Sequence, residues 1–168
     1  MKKHLPLLGV GPIIGLGQLI ITVTIILTCK TLNTDFAEID VLKTPFRILG
    51  VLLIVAGLYF NYSAKRKSKL FENIKQNRLI TDGIYRYVRN PVYSAILFCC
   101  TGISLFANNL LVLIAPVCCW IYTTIFLIQT EEKWLRNLYG QEYVEYCKRV
   151  NRCIPWFHHR WGYAIYKK

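Results

Sequence analysis

VYSAILFCCTGISLFANNLLVLIAPVCCWIYTTIFLI, residues 92–128, consists of two apolar runs separated only by Asn108-Asn109. The second run, Leu110 to Ile128, approaches the ~20 residues needed to cross ~30 Å of hydrocarbon. The first, Val92 to Ala107, is shorter, and by itself would suit a buried helix in a water-soluble core. With two polar residues before the next run, it reads instead as half of a tight helical hairpin inside a bilayer. Backbone N–H and C=O groups there must be satisfied internally, so helices are the expected form.

Working outward, two further apolar runs precede the hairpin, Leu5 to about Leu27 and Phe46 to about Tyr62. Apolar residues make up 54% of the chain and fall in long runs, not at the periods of a half-buried helix or strand. The expected fold is therefore all-α. It is a polytopic membrane helix bundle, with spans at about 5–27, 46–62, 92–107 and 110–128, in a single domain over 1–168.

Charge orients these spans, because short cytoplasmic loops carry an excess of Lys and Arg. After the second run come Lys65, Arg66, Lys67, Lys69, Lys75, Arg78, Arg86 and Arg89, against only Glu72 and Asp82. After the fourth come Lys133, Arg136, Lys148, Arg149, Arg152, Arg160, Lys167 and Lys168. The connection from Thr28 to Pro45 carries Asp35, Glu38 and Asp40 with Lys30 and Lys43, and the Asn108-Asn109 turn has no charge. Both termini, starting with Lys2-Lys3, are expected in the cytoplasm. The net charge of +12 clusters beside membrane exits, where orientation and anionic headgroups account for it, so nucleic acid is not an expected partner.

The amino-terminal run up to Cys29 is too long for a signal h-region and lacks a small-residue cleavage site, so it reads as a retained span. Cys99-Cys100 and Cys118-Cys119 are adjacent pairs within spans, ill suited to disulfides, and read as small packing residues; Cys147 and Cys153 fall in the cytoplasmic tail. No metal-ligand spacing is present, and His158-His159 beside Arg160 reads as a solvated tail. No metal is expected.

Chemistry concentrates on either side of the hairpin. Before it stands Gly83-Ile84-Tyr85-Arg86-Tyr87-Val88-Arg89-Asn90-Pro91-Val92-Tyr93, introduced by the turn pair Asp82-Gly83. Pro91 can open the third span as its first helical residue, where a missing N–H costs nothing. The free N–H groups of that first turn, with Arg89, would attract an anion such as a carboxylate. Tyr85, Tyr87 and Tyr93 offer aromatic faces to a cation, and equally suit an interfacial aromatic belt. After the hairpin, Glu131-Glu132 are unusual acids at a basic membrane exit and suit the amine of a zwitterionic ligand, or surface ion pairs. Leu135, Leu138, Tyr139, Tyr143, Tyr146, Cys147 and Val150 then recur at helical spacing. An amphipathic cytoplasmic helix from about Glu131 to Val150, able to cover the mouth of the bundle, is expected. It ends at Arg152-Cys153-Ile154-Pro155-Trp156, with Trp156, Trp161 and Tyr163 placed to rest at the interface.

These two blocks together resemble the isoprenylcysteine carboxyl methyltransferase and phospholipid methyltransferase superfamily of integral membrane enzymes. Its pattern G-x-Y-x-x-V-R-H-P-x-Y, a membrane hairpin, then E-E-x-x-L-x-x-x-F/Y-G-x-x-Y-x-x-Y and R-x-I-P is matched here by Gly83, Tyr85, Val88, Arg89, Pro91 and Tyr93. The later part is matched by Glu131, Glu132, Leu135, Tyr139, Gly140, Tyr143, Tyr146, Arg152, Ile154 and Pro155. The resemblance covers roughly the carboxyl-terminal half; the first two spans match only in being hydrophobic. It implies S-adenosylmethionine as cofactor, held at the cytoplasmic end by segments 77–93 and 131–155. By position these supply Asn77, Arg78, Leu79, Ile80, Tyr85, Asn90, Pro91, Val92, Tyr93 and Glu131. The zwitterionic methionine moiety and the sulfonium of that cofactor suit the helix terminus, glutamate and tyrosine faces already read from the residues.

The implied activity is methyl transfer to a lipophilic acceptor in the membrane, foremost the carboxylate of a C-terminal S-isoprenylcysteine. A phosphatidylethanolamine-type or other small-lipid acceptor is the alternative; its amine must first lose a proton, for which Glu132 or a tyrosine is available. A sterol-reductase-like membrane reductase and a non-catalytic membrane protein are more distant alternatives. No residue is assigned a catalytic role. The chain departs from the family at Asn90, which stands for the histidine of R-H-P and cannot titrate near neutrality. It departs again at Leu127, where the isoprenylcysteine enzymes tend to carry an arginine suited to a substrate carboxylate. Arg136 and Arg149 are the substitutes available for binding an acceptor.

Overall fold

In the computed structural model, which describes residues 10–68, 72, 73, 76 and 78–155, the chain is built from helices. They are α1 (Gly11–Thr31), α2 (Asp40–Tyr62), α3 (Pro91–Phe106), α4 (Ile114–Gln129), α5 (Glu131–Tyr139) and α6 (Gln141–Arg149). Three helical stretches, Gly11–Thr31, Asp40–Lys67 and Leu110–Tyr139, are long and apolar enough to cross a membrane. Most of their surface faces outward, with Leu16, Ile20, Leu52, Leu58, Val117 and Ile125 exposed, as expected where lipid is the solvent. The remaining apolar helix, α3, has 16 residues and so reaches about 24 Å at 1.5 Å per residue, short of ~30 Å of hydrocarbon. The expected bundle is present, with this one helix short.

Element limits differ from the sequence reading for identifiable reasons. The second helix begins at Asp40, not Phe46, carrying Pro45 inside it, and the connection from the first helix shrinks to a few residues with a 3₁₀ turn at Asp35–Ala37. At the hairpin, Leu110–Leu113 forms a 3₁₀ turn and the α-helix starts only at Ile114, two residues before Pro116, where a proline is tolerated. Asn108 adopts φ 50°, a left-handed conformation that asparagine tolerates better than most residues, and ends α3. The Asn109 side chain accepts from the Leu111 N–H at 2.9 Å and starts the next turn. Beyond the last span the single amphipathic helix expected over Glu131–Val150 is divided at Gly140, whose φ of 57° and ψ of −128° are open to glycine almost alone.

Packing between helices rests on small and polar residues, as it must where lipid is as apolar as any side chain. α2 runs antiparallel to α3 in close contact. A Cβ added to Gly102 would lie 2.6 Å from the Gly50 carbonyl oxygen, and one added to Gly57 would lie 2.6 Å from that of Ala95. α1 runs antiparallel to α4, tied by a buried bond from Gln18 Nε2 to Thr123 Oγ1 at 2.6 Å and by Thr22 against Cys119. The Tyr122 hydroxyl donates to the Ile13 carbonyl at 3.1 Å, across the space left by Gly17. At one end of the bundle, Asn109 Nδ2 donates to the Thr34 carbonyl and hydroxyl at 2.9 and 2.8 Å, joining the two inter-helix turns. The other end gathers the start of α1, the end of α2, the start of α3 and the end of α4, and there α5, α6 and the loop before α3 are stacked. The residues at positions 1–9, including Lys2, Lys3 and Leu5, and those at 156–168, including Trp156, His158, His159, Arg160, Trp161 and Tyr163, lie outside the described residues.

Candidate functional site

The Gly83 turn, φ 58°, delivers the chain into a short 3₁₀ segment, Gly83–Arg86, that buries Ile84 and Tyr85 against Ala64, with Phe60, Ile80 and Val92 around them. Ala64 belongs to a π-helical turn, Ser63–Lys67, at the end of α2, so the last turn of one span forms a wall behind Tyr85. α6 closes over this wall: the buried Tyr146 hydroxyl donates to the Tyr85 carbonyl at 2.6 Å. Burial first, and the Glu131 charge second, push the Tyr85 phenol above its usual range, so it stays neutral.

Pro91 opens α3 as its first residue, as expected. Tyr93, one turn in, is buried with Val10, Ile14, Leu127 and Cys153. Its hydroxyl donates to Glu131 Oε1 at 2.6 Å, and the same oxygen accepts from the Val10 backbone N–H at 3.3 Å. Tyr85, Tyr93 and Glu131 thus converge at one end of the bundle although Glu131 stands across the whole hairpin from the tyrosines. A carboxylate already receiving an N–H and an O–H beside neutral phenols is a donor-accepting centre with aromatic neighbours. The Asn90 side chain makes no capping bond to the first turn of α3, which leaves those N–H groups to another acceptor. A zwitterionic ligand with a cationic centre fits this donor set. No cluster of three or more His, Cys, Asp or Glu suited to a metal ion occurs among the described residues.

The frame behind the site is ionic. Glu132, buried, receives a two-pronged ion pair from Arg152, Nε to Oε1 at 2.7 Å and Nη2 to Oε2 at 3.0 Å, and faces Arg89 Nη1 at 3.3 Å. Arg89 also donates to the Cys147 sulfur. The sequence reading sets Arg89 at the α3 terminus as an attractor for an anion; the structure turns it inward, because a guanidinium this buried requires a carboxylate partner and Glu132 supplies it. Backbone bonds complete the frame: Arg89 N to Asn151 O at 2.8 Å and Asn90 N to Arg152 O at 3.1 Å. Asn90 Nδ2 donates to the same Arg152 carbonyl at 3.2 Å, and the Ser94 hydroxyl reaches the Cys153 carbonyl at 2.5 Å. Burial pushes the Cys153 thiol up to about 12.

Of the residues expected to hold a cofactor, Tyr85, Asn90, Pro91, Val92, Tyr93 and Glu131 come together here. Ile80 packs on the Tyr85 cluster, while Arg78 and Leu79 lie in the loop leading to it, with Arg78 exposed. Asn77 lies outside the described residues. Arg136 and Arg149, the acceptor-binding candidates, are exposed on α5 and α6. Leu127 is fully buried between Ile14 and Tyr93, so the position one turn before Glu131 is wholly apolar. Sequence reasoning missed the pinning role of Ser94 and the ionic frame of Arg89, Glu132 and Arg152. The signal the sequence offered for that frame was two adjacent acids at a basic exit, with Arg89 and Arg152 in the flanking motifs.

The family described as phospholipid methyltransferase matches residues 45–142. Among curated proteins, the chain is 32% identical over 114 residues to protein-S-isoprenylcysteine O-methyltransferase B of Arabidopsis thaliana, covering 64% of this chain and 55% of that one. It is 31% identical over 130 residues to the protein-S-isoprenylcysteine O-methyltransferase of Schizosaccharomyces pombe, covering 74% of this chain and 52% of that one. A probable protein-S-isoprenylcysteine O-methyltransferase of Oryza sativa is 36% identical over 81 residues, 48% of this chain and 42% of its own. The chain thus spans about half the length of the curated relatives it matches. No solved structure matches it.

Proposed function

The chain belongs to the phospholipid methyltransferase family, and on that premise we propose that it is an S-adenosylmethionine-dependent methyltransferase acting on the carboxylate of a C-terminal S-isoprenylcysteine. The observation that carries the reading is the convergence of Tyr85, Tyr93 and Glu131 from two separate motifs at one end of an apolar bundle. The names of the relatives support the acceptor, since three proteins of this similarity are described as isoprenylcysteine O-methyltransferases.

The cofactor would supply a methyl group on a cationic sulfur, chemistry suited to an acceptor carboxylate, with a methyl ester and a neutral thioether as the products. Glu131 would hold the ammonium, and the first turn of α3 would hold the carboxylate. Tyr85 and Tyr93 would offer neutral aromatic surface to the sulfonium. An ionised carboxylate is already a nucleophile, so no general base is required, and the site contributes alignment and exclusion of water. Tyr143 and Tyr146, the buried residues of α6, serve the exclusion. The lipophilic acceptor reaches this end laterally from the bilayer, while the cofactor comes from the cytoplasm, the side to which the basic loops assign the site.

The test is binding and turnover in purified, detergent-solubilised protein. Saturable binding of S-adenosylmethionine and S-adenosylhomocysteine, without binding of a nicotinamide dinucleotide, and methyl-ester formation on N-acetyl-S-farnesylcysteine are the expected results. Methylation of phosphatidylethanolamine but not of the prenylcysteine would move the acceptor to the phospholipid class that the family description names.

A further inference from the structure

Among the described residues, the arginines behind the apolar site wall are held by Glu132, whereas several bases at the same end of the bundle are exposed. Leu127, fully buried, occupies the position one turn before Glu131, and Arg89 and Arg152 are both turned onto Glu132, away from Leu127. Around the same end, Lys65, Arg66 and Lys67 of the π-helical turn are exposed, immediately after the buried Ser63 and after Ala64, which packs in the Tyr85 cluster. Lys67 Nζ rests 5.3 Å from the centre of the Tyr59 ring, an exposed aromatic on the lipid-facing side of α2. Arg86, at the end of the 3₁₀ segment that carries Tyr85, and Arg136 on α5 are exposed as well. The exposed acids at this end, such as Asp82, Glu142 and Glu145, are fewer.

Resting on the proposed acceptor class, we infer that this rim selects prenylcysteine acceptors whose adjoining peptide is acidic. An acceptor whose prenyl chain enters laterally from the bilayer leaves the residues preceding its prenylcysteine at the membrane surface, where Lys65–Lys67, Arg86 and Arg136 are exposed. Exposed charges of one sign raise the capture rate of an opposite partner and depress that of a like one, in a way that salt screens. A polybasic peptide is therefore a poor acceptor here and an acidic one a good acceptor.

The experiment uses the full chain in vesicles of zwitterionic phosphatidylcholine. Four acceptors are compared: N-acetyl-S-farnesylcysteine, and three farnesylated peptides identical except for a run of Glu, Gln or Lys before the prenylcysteine. The expected order of kcat/KM is Glu, Gln, Lys, with about a tenfold span at low salt that collapses at high salt. In K65Q/R66Q/K67Q the span shrinks, while turnover of N-acetyl-S-farnesylcysteine is unchanged. Equal rates for the three peptides, or an acid preference that survives the triple variant, overturns the inference and leaves the acceptor reading standing. Loss of anionic phosphatidylglycerol binding in the triple variant without any peptide preference also overturns it, assigning the rim to the membrane surface. No methylation of N-acetyl-S-farnesylcysteine by protein that binds S-adenosylmethionine overturns the acceptor reading itself, and the inference with it.

Discussion

At the scale of single residues, Glu131 and Glu132 show how adjacent acids take separate roles. Glu131 accepts from Tyr93 and Val10 at the site, whereas Glu132 is buried between Arg152 and Arg89. Glu131→Ala is expected to weaken S-adenosylmethionine binding about 10- to 100-fold, the worth of a hydrogen bond to a charged group, measured by calorimetry. Tyr85→Ala is expected to weaken it by about tenfold through the lost aromatic face. Unchanged affinity in both variants would remove these residues from the site. Glu132→Ala should behave differently. It leaves two guanidinium groups without their carboxylate and costs about 3–5 kcal/mol of stability, read as a lower thermal midpoint. The fraction that remains folded should still bind the cofactor, which separates a framing residue from a ligand-contacting one. The residue types at these positions were legible in the sequence, since adjacent acids at a basic exit are anomalous. That Glu132 pairs with Arg89 and Arg152 was not, because successive helical residues differ by about 100° in direction and only the packed neighbours decide which partner each acid meets.

Among elements, the α2–α3 contact and the α5–α6 break each depend on a glycine for a different reason. Gly102 permits close backbone approach: a Cβ there would meet the Gly50 carbonyl at 2.6 Å, and backbone cannot rotate away as a side chain can. Gly102→Ala is therefore expected to separate the helices and to destabilise by about 1–3 kcal/mol, the usual cost of overpacking, with a lower thermal midpoint. Gly140 has open space around it, nothing lying within 4 Å of an added Cβ, yet its φ is 57°. Gly140→Ala is expected to cost about 1–2 kcal/mol through backbone strain alone, and to loosen α6 over Tyr85, seen as faster amide exchange in Gln141–Arg149. The apolar runs announced the spans, and Asn108-Asn109 announced the hairpin turn. The break at Gly140 was not legible, since a lone glycine inside an amphipathic pattern is tolerated in many helices.

For the whole molecule, the antiparallel order of α1 to α4 puts both basic segments at the site end and the acidic Glu38 and Asp40 with the Asn109 turn at the other. From the excess of Lys and Arg we propose that the site end faces the cytoplasm. In intact cells, a membrane-impermeant maleimide is expected to label Leu32→Cys, at the exposed turn after α1, above the parent background, and to spare Arg149→Cys until the membrane is opened. The opposite pattern would place the site on the outer face and contradict a cytoplasmic supply of cofactor.

The sequence by itself determined that the chain is a bundle of apolar helices, and it singled out the two segments that the structure brings together at one end of that bundle. Those properties follow from local composition: the length of apolar runs, a proline at a helix start, and acids and aromatics at a basic exit. Tertiary structure alone decided that Arg89 serves Glu132 and not an incoming anion, that the Asn90 amide binds the Arg152 carbonyl, and that Val10 reaches Glu131. Each of these joins residues far apart in the chain, and a buried polar group takes whichever partner the packed helices bring within about 3 Å.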